Sequence, residues 1–127
     1  MNKINFDCVS LAQALIRCKS ITPKDDGALN IVEDHLNEIG FSCERLSFNE
    51  KNSYKVDNLF GKIGKTGKHI AFAGHTDVVP PGNEDSWKFP PFSAKIDDDR
   101  LYGRGSEDMK GNIACFLSAT DFFLKKY

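Results

Sequence analysis

The feature that most constrains this chain is a short apolar run, 70–73, followed by His75 and Asp77. In an extended strand alternate side chains share one face, so these two side chains point the same way. A proline-rich loop comes next, and then a glycine-containing segment, 103–111, which carries Asp108 in front of an apolar helix pattern. Because sites gather where strands end in open α/β sheets, this order predicts a site built from His75, Asp77 and Asp108.

The remaining periodicity predicts an α/β fold, because helical and strand patterns alternate along the chain. The predicted helices are 6–17, about 27–39 and about 110–126, and the predicted strands are 41–48, 56–63, 69–73, 93–96 and 100–102. We expect exposed apolar surface on the last helix, since a sheet of this kind has further strands after it.

Length and composition limit the possible functions. The chain has 127 residues, the size of one domain, and a net charge of −1, which gives no global attraction to nucleic acid or an anionic membrane. No apolar run reaches the roughly 20 residues that span a bilayer, and the first seven residues lack the apolar core of a signal peptide. The four cysteines are irregularly spaced, which favours small buried residues in a reducing compartment. We therefore expect a cytoplasmic protein.

The three histidines differ in what their surroundings allow. His69 stands six residues before His75, roughly 20 Å along an extended strand, so the two cannot bind the same ion. His35 is expected on the surface of the second helix. His75 with Asp77 suits a metal-bound histidine whose second ring nitrogen donates to a carboxylate, and the alternative is a polar strand end. Asp108 favours the metal site, although a helix N-cap is the alternative for that residue.

Taken together, the segment 74–111 closely resembles the dinuclear zinc amidohydrolases of the carboxypeptidase G2, aminoacylase and acetylornithine deacetylase superfamily. The resemblance rests on an ordered set of motifs, namely GHTDVVPPG at 74–82, Trp87 with PPF at 90–92, and LYGRGSEDMKG at 101–111. It implies part of a zinc-exopeptidase-like catalytic domain, with a twisted central sheet flanked by helices.

The resemblance also implies residue roles. His75 would ligate one zinc ion, Asp108 would bridge two, and Asp77 would act in catalysis by orienting His75. Cobalt would be able to replace zinc. The peptide bond that follows Asp108 would be cis.

The implied reaction is metal-dependent hydrolysis of a linear amide in an N-succinyl amino acid, carried out by a homodimer. Residues 1–127 would be the N-terminal portion of the catalytic domain. The lid or dimerisation domain, the general-base glutamate and the remaining metal ligands would lie outside this chain, so we expect it to be inactive alone. The alternatives are an acetylornithine deacetylase, a dipeptidase, or a non-catalytic truncated binding module.

Overall fold

The computed structural model describes residues 7–127 and has an α/β fold. The helices are α1 (Cys8–Arg17), α2 (Ala28–Glu38) and α3 (Lys110–Lys126), and the strands are β1 (Ser42–Phe48), β2 (Val56–Lys62), β3 (Lys95–Asp97) and β4 (Arg100–Tyr102). A 3-10 turn at Glu84–Ser86 lies in the proline-rich loop. These seven elements confirm the predicted ones with small differences at their ends, and the predicted helix start at residue 6 lies outside the described residues.

Helix α1 begins and ends for identifiable reasons. The Asp7 carboxylate accepts the backbone N–H groups of Val9 and Ser10, which are free donors at a helix start. The residues at helical spacing, Leu11, Leu15 and Ile16, are fully buried. The helix ends at Arg17, since the backbone of Cys18 is already extended, and the chain then leads to the cis Thr22–Pro23 bond. One face of α1 is thereby fixed against the rest of the molecule.

The main core lies between α1 and α3. Leu11 and Leu15 of α1 and Ile113 and Leu117 of α3 are buried in one apolar cluster. Full burial of a leucine or isoleucine side chain contributes roughly 1.5–3 kcal/mol, so these four side chains contribute much of the stability of the helix pair.

Strands β1 and β2 form an antiparallel ribbon, with Ser42 opposite Lys62 and Phe48 opposite Val56. Helix α2 packs on it at Gly61, where a Cβ atom would lie only 2.9 Å from Cδ1 of Leu36. The glycine in the middle of β2 therefore permits close contact with the helix. Strands β3 and β4 form the predicted hairpin around Asp98 and Asp99.

The prediction of a strand over 69–73 is wrong, because no residue of that segment is in a strand. A strand needs a neighbour for its backbone hydrogen bonds, and within residues 7–127 no strand pairs with this segment. Ile70 is 94% exposed. The Phe72 ring instead stacks on Phe116 of α3, with centroids 4.2 Å apart.

Two further expectations are corrected by burial. His35 is fully buried rather than on the surface of α2, since its ring faces α3 with Nε2 3.4 Å from the carbonyl oxygen of Leu117. Among the cysteines, Cys115 is exposed and the other three are half-buried, so they are not fully buried apolar residues.

The expected exposed apolar surface on α3 is confirmed, because Phe122 and Phe123 are both more than half exposed. In the described part of the chain, none of the helices combines the length and the apolar character that crossing a bilayer requires.

Candidate metal centre

The segment carrying His75 and Asp77 is held by the loop that follows α1. Val78 N–H donates to the Ser20 carbonyl at 2.9 Å, and Thr22 N–H donates to the Val78 carbonyl at 3.1 Å. The buried Ser20 hydroxyl adds a 2.7 Å bond to the carbonyl of Thr76. These bonds surround a parallel bridge between Ile21 and Val78, which lies beyond the end of the predicted strand 69–73.

His75 and Asp108 meet across 33 residues of sequence. Nε2 of His75 lies 3.1 Å from Oδ1 of Asp108. The two chain segments also touch through Met109, whose sulfur lies 3.4 Å from the backbone nitrogen of His75. The Asp108–Met109 peptide bond is cis. Two of the three predicted site residues are therefore in direct contact.

Asp77 faces the other ring nitrogen of His75. Nδ1 lies 3.0 Å from the backbone carbonyl of Asp77 and 3.5 Å from its carboxylate Oδ1. Because a carbonyl can only accept, this partner favours the proton on Nδ1 and leaves the Nε2 lone pair toward Asp108. The nearer acceptor is thus the main chain of Asp77 rather than its carboxylate.

The electrostatics of His75 follow from these neighbours. The hydrogen bond to the Asp77 carbonyl raises the pKa of His75, burial of the ring partly opposes that rise, and the charges of Asp77 and Asp108 reinforce it. The ring is therefore surrounded by acceptors and negative charge, an environment that also suits a cation.

The sequence reasoning missed Thr22, whose hydroxyl donates to the Asp77 carboxylate Oδ2. No local signal could identify the contact, because its partner is 55 residues away.

Lys110 was also missed. Its side chain is fully buried, and Nζ donates to the Cys18 carbonyl at 2.8 Å. Burial lowers the pKa of Lys110. The bond ties the start of α3, next to Asp108, to the end of α1.

Glycine is required where the loop before α3 is tightest. A Cβ atom on Gly111 would lie 2.2 Å from the backbone oxygen of Ser106, and Gly105 has φ +87°, a conformation that favours glycine. The glycines therefore allow the close turn that brings Asp108 against His75.

The donor atoms fit part of a metal site. An imidazole nitrogen and a carboxylate oxygen are ligands that zinc takes, and here they converge from side chains that are 49% and 86% exposed. An open cavity of about 130 Å³ borders both of them. Within residues 7–127, however, no group of three or more histidine, cysteine or acidic side chains converges. The side chains of His75 and Asp108 thus bring together two suitable donor atoms, fewer than the three protein ligands of a catalytic zinc ion.

The segment that carries these residues also matches a known protein family. Residues 71–126 match the sequence model of Peptidase family M20/M25/M40. The matched range contains His75, Asp77 and Asp108 together with the whole of α3. The match indicates a hydrolase lineage for this part of the chain, and the family implies the use of a divalent metal ion.

Its relatives extend the similarity to almost the whole chain. It is 50% identical to a succinyl-diaminopimelate desuccinylase of Nitrobacter hamburgensis, over 95% of this chain and 31% of that protein. It is 52% identical to a protein of the same name from Bradyrhizobium diazoefficiens, over 89% of this chain and 29% of that protein. The chain thus spans about a third of the length of these relatives.

The fold itself has a counterpart among solved structures. The crystal structure of human carnosine dipeptidase 1 matches with a TM-score of 0.79 at 20% identity, covering 94% of this chain and 30% of that one. At this identity the match supports the α/β fold alone.

Proposed function

We propose that this chain is the N-terminal portion of the catalytic domain of a succinyl-diaminopimelate desuccinylase. The reaction is hydrolysis of N-succinyl-LL-2,6-diaminopimelate to succinate and LL-diaminopimelate, a step toward lysine and cell-wall diaminopimelate. The observation that carries the proposal is the approach of His75 Nε2 to Asp108 Oδ1 at 3.1 Å. It is supported by about 50% identity to relatives of that name.

In this proposal His75 and Asp108 hold zinc, of which the complete site takes two, and cobalt is able to substitute. The chemistry that bound zinc supplies is polarisation of the amide carbonyl as a Lewis acid. His75 contributes a neutral imidazole whose tautomer is fixed by the 3.0 Å contact of Nδ1 with the Asp77 carbonyl. Asp108 contributes a carboxylate in front of α3, where the helix N-terminus favours negative charge.

The roles of the other groups follow from their positions. Asp77 orients His75, and the Thr22 hydroxyl holds the Asp77 carboxylate in place. The general-base glutamate, the remaining ligands and the lid or dimerisation domain lie outside these residues in the proposal. We further propose a cytoplasmic protein that is a homodimer in its complete form and has no nucleic-acid or membrane partner.

The first test compares hydrolysis by protein variants in the longest natural form of the protein that contains this segment. With zinc present, His75→Ala and Asp108→Asn are expected to lower kcat/KM for the succinylated substrate by roughly 1,000-fold or more, because each removes a ligand. His69→Ala is the matched control, since His69 is exposed and lies outside the cluster. The variant should keep nearly full activity. Retained activity in His75→Ala, or faster release of acetate from N-acetylornithine than of succinate, would contradict the proposal.

The 127-residue chain provides a second measurement. Zinc titration calorimetry is expected to give no stoichiometric binding at micromolar affinity, because two protein ligands leave a zinc ion under-coordinated. An assay for succinate release should give no turnover. Tight binding together with turnover would refute the assignment of the missing ligands to residues outside this chain.

A further inference from the structure

Two cysteines that the candidate metal centre does not use lie in contact on neighbouring helices. Sγ of Cys8, the first residue of α1, is 3.4 Å from Sγ of Cys115 on α3, although 107 residues separate them. Both thiols are free, Cys115 is exposed, and Cys8 is half-buried. Cys18, which directly follows α1, offers a contrast, since its thiol donates to the Ala14 carbonyl of that helix.

We propose that Cys8 and Cys115 form a redox modification site, at which a hydroperoxide converts the two thiols into a disulfide between α1 and α3. In the first step the Cys115 thiolate attacks one peroxide oxygen. An S–O bond forms, the O–O bond breaks, and the second oxygen leaves as an alcohol, or as water when the oxidant is hydrogen peroxide. The Cys8 thiolate then attacks the sulfenic sulfur, the S–S bond forms, and hydroxide leaves and takes up a proton. Two thiols and one hydroperoxide thus give a disulfide, an alcohol and water.

The order of the two steps follows from the surroundings of each sulfur. Cys115 is open to solvent and therefore meets the oxidant first. Burial raises the pKa of the Cys8 thiol, and its contact with Cys115 raises it further, so Cys8 stays protonated and shielded until its neighbour is oxidised. Cys8 is therefore the resolving thiol.

The helix packing already holds the two cysteines close to each other. Leu11 and Leu15 of α1 already pack with Ile113 and Leu117 of α3, so the two backbones are held side by side. The sulfur atoms must close from 3.4 Å to about 2.05 Å, a movement that side-chain rotation at an exposed position can supply. The bond would join α1, whose C-terminal end leads to Thr22, to α3, whose N-terminal end follows Asp108.

The test oxidises the 127-residue chain with hydrogen peroxide, alkylates the remaining thiols and maps tryptic peptides without reduction. The expected product links peptide 4–17 to peptide 111–125, with the loss of two hydrogen atoms. Closing so long a loop should also raise the melting temperature by roughly 10–20 °C, and a dithiol reductant should reverse the rise.

Control experiments distinguish a specific Cys8–Cys115 site from random oxidation of the cysteines. The same treatment in urea should favour the closer pairs Cys8–Cys18 and Cys18–Cys43, because short loops close more readily. Cys43→Ser should leave the native link unchanged, whereas Cys8→Ser and Cys115→Ser should each abolish it. The proposal is overturned if the native chain gives the urea pattern, links only between molecules, or carries separate oxidised forms of Cys8 and Cys115 with no bond between them.

Discussion

The helical side and the ribbon side of the molecule differ in how far they bury their large apolar side chains. On the helical side, formed by α1, the loop 18–22 and the part of α3 that ends at Leu117, the large apolar residues Leu11, Leu15 and Leu117 are almost completely buried. On the ribbon side, formed by β1, β2 and residues 63–74, Phe60 is 55% exposed, and Ile70 far more so. The candidate metal centre lies on the helical side, where contacts within the chain hold its residues in place.

This difference shows that the helices and the strands need different neighbours to be stable. Helices complete their own backbone hydrogen bonds and need only a neighbouring apolar face, which α1 and α3 supply to each other. A strand such as the predicted 69–73 needs another strand beside it. The helical side can therefore form from these residues, while some apolar side chains of the ribbon side, such as Phe60 and Ile70, remain exposed to water.

The largest effect is expected from Leu15→Ala, which removes a fully buried side chain from the helix pair. Such a change costs about 2–5 kcal/mol of unfolding free energy, through lost burial and the cavity left behind. The matched control is Ile70→Ala on the ribbon side, which should change stability by about 0.5 kcal/mol or less because Ile70 is 94% exposed. Urea unfolding of the 127-residue chain measures both. Equal effects would break the comparison.

A middle-sized effect is expected from Thr22→Val, which removes the hydroxyl that binds the Asp77 carboxylate. The lost hydrogen bond should cost about 1 kcal/mol, and Thr22→Ser should restore it. The specific measurement is the tautomer of His75 from ¹⁵N NMR shifts, taken where the ring is neutral. We expect the Nδ1–H form to fall in Thr22→Val and to recover in Thr22→Ser. If the His75 tautomer is unchanged while the stability falls, Thr22 has only a structural role.

The smallest effect concerns the pH dependence of the Asp7 cap. Its hydrogen bonds with the Ser10 side chain and backbone lower the pKa of Asp7 below 3.8. A carboxyl with a lowered folded-state pKa stabilises the fold above its unfolded pKa, and that contribution is lost as pH falls through the folded value. The stability difference between wild type and Asp7→Asn should therefore be constant above about pH 5 and shrink below about pH 4. Asp34→Asn, an exposed change on α2, is the control. The same acid-dependent loss in both variants would contradict the assignment.

Most of the secondary structure could be predicted from the sequence because its signals are local. The apolar spacing and the glycine loop before it gave α3 the same bounds, Lys110–Lys126, that the structure has. The His75–Asp108 contact was also accessible, although only because several motifs in order resembled one family. Single residues would not have joined two positions 33 apart.

What could not be predicted depends on contacts that leave no local pattern. Thr22 and Lys110 act through partners 55 and 92 residues away. His35 was misplaced because a polar residue on a helix was expected to face water, whereas its ring packs against α3. The segment 69–73 has the alternation of a strand, but alternation describes the side chains and not the presence of a neighbour.

The parallel bridge between Ile21 and Val78 has a consequence for how the molecule is made. It joins positions more than fifty residues apart, and the contact of His75 with Asp108 adds a second long closure. Bringing such distant positions together costs chain entropy, so we expect these contacts to form late in folding. During synthesis Thr22 is made before Asp77, and Asp77 before Asp108. The candidate metal centre can therefore be complete only after Asp108, the last of these residues, has been made.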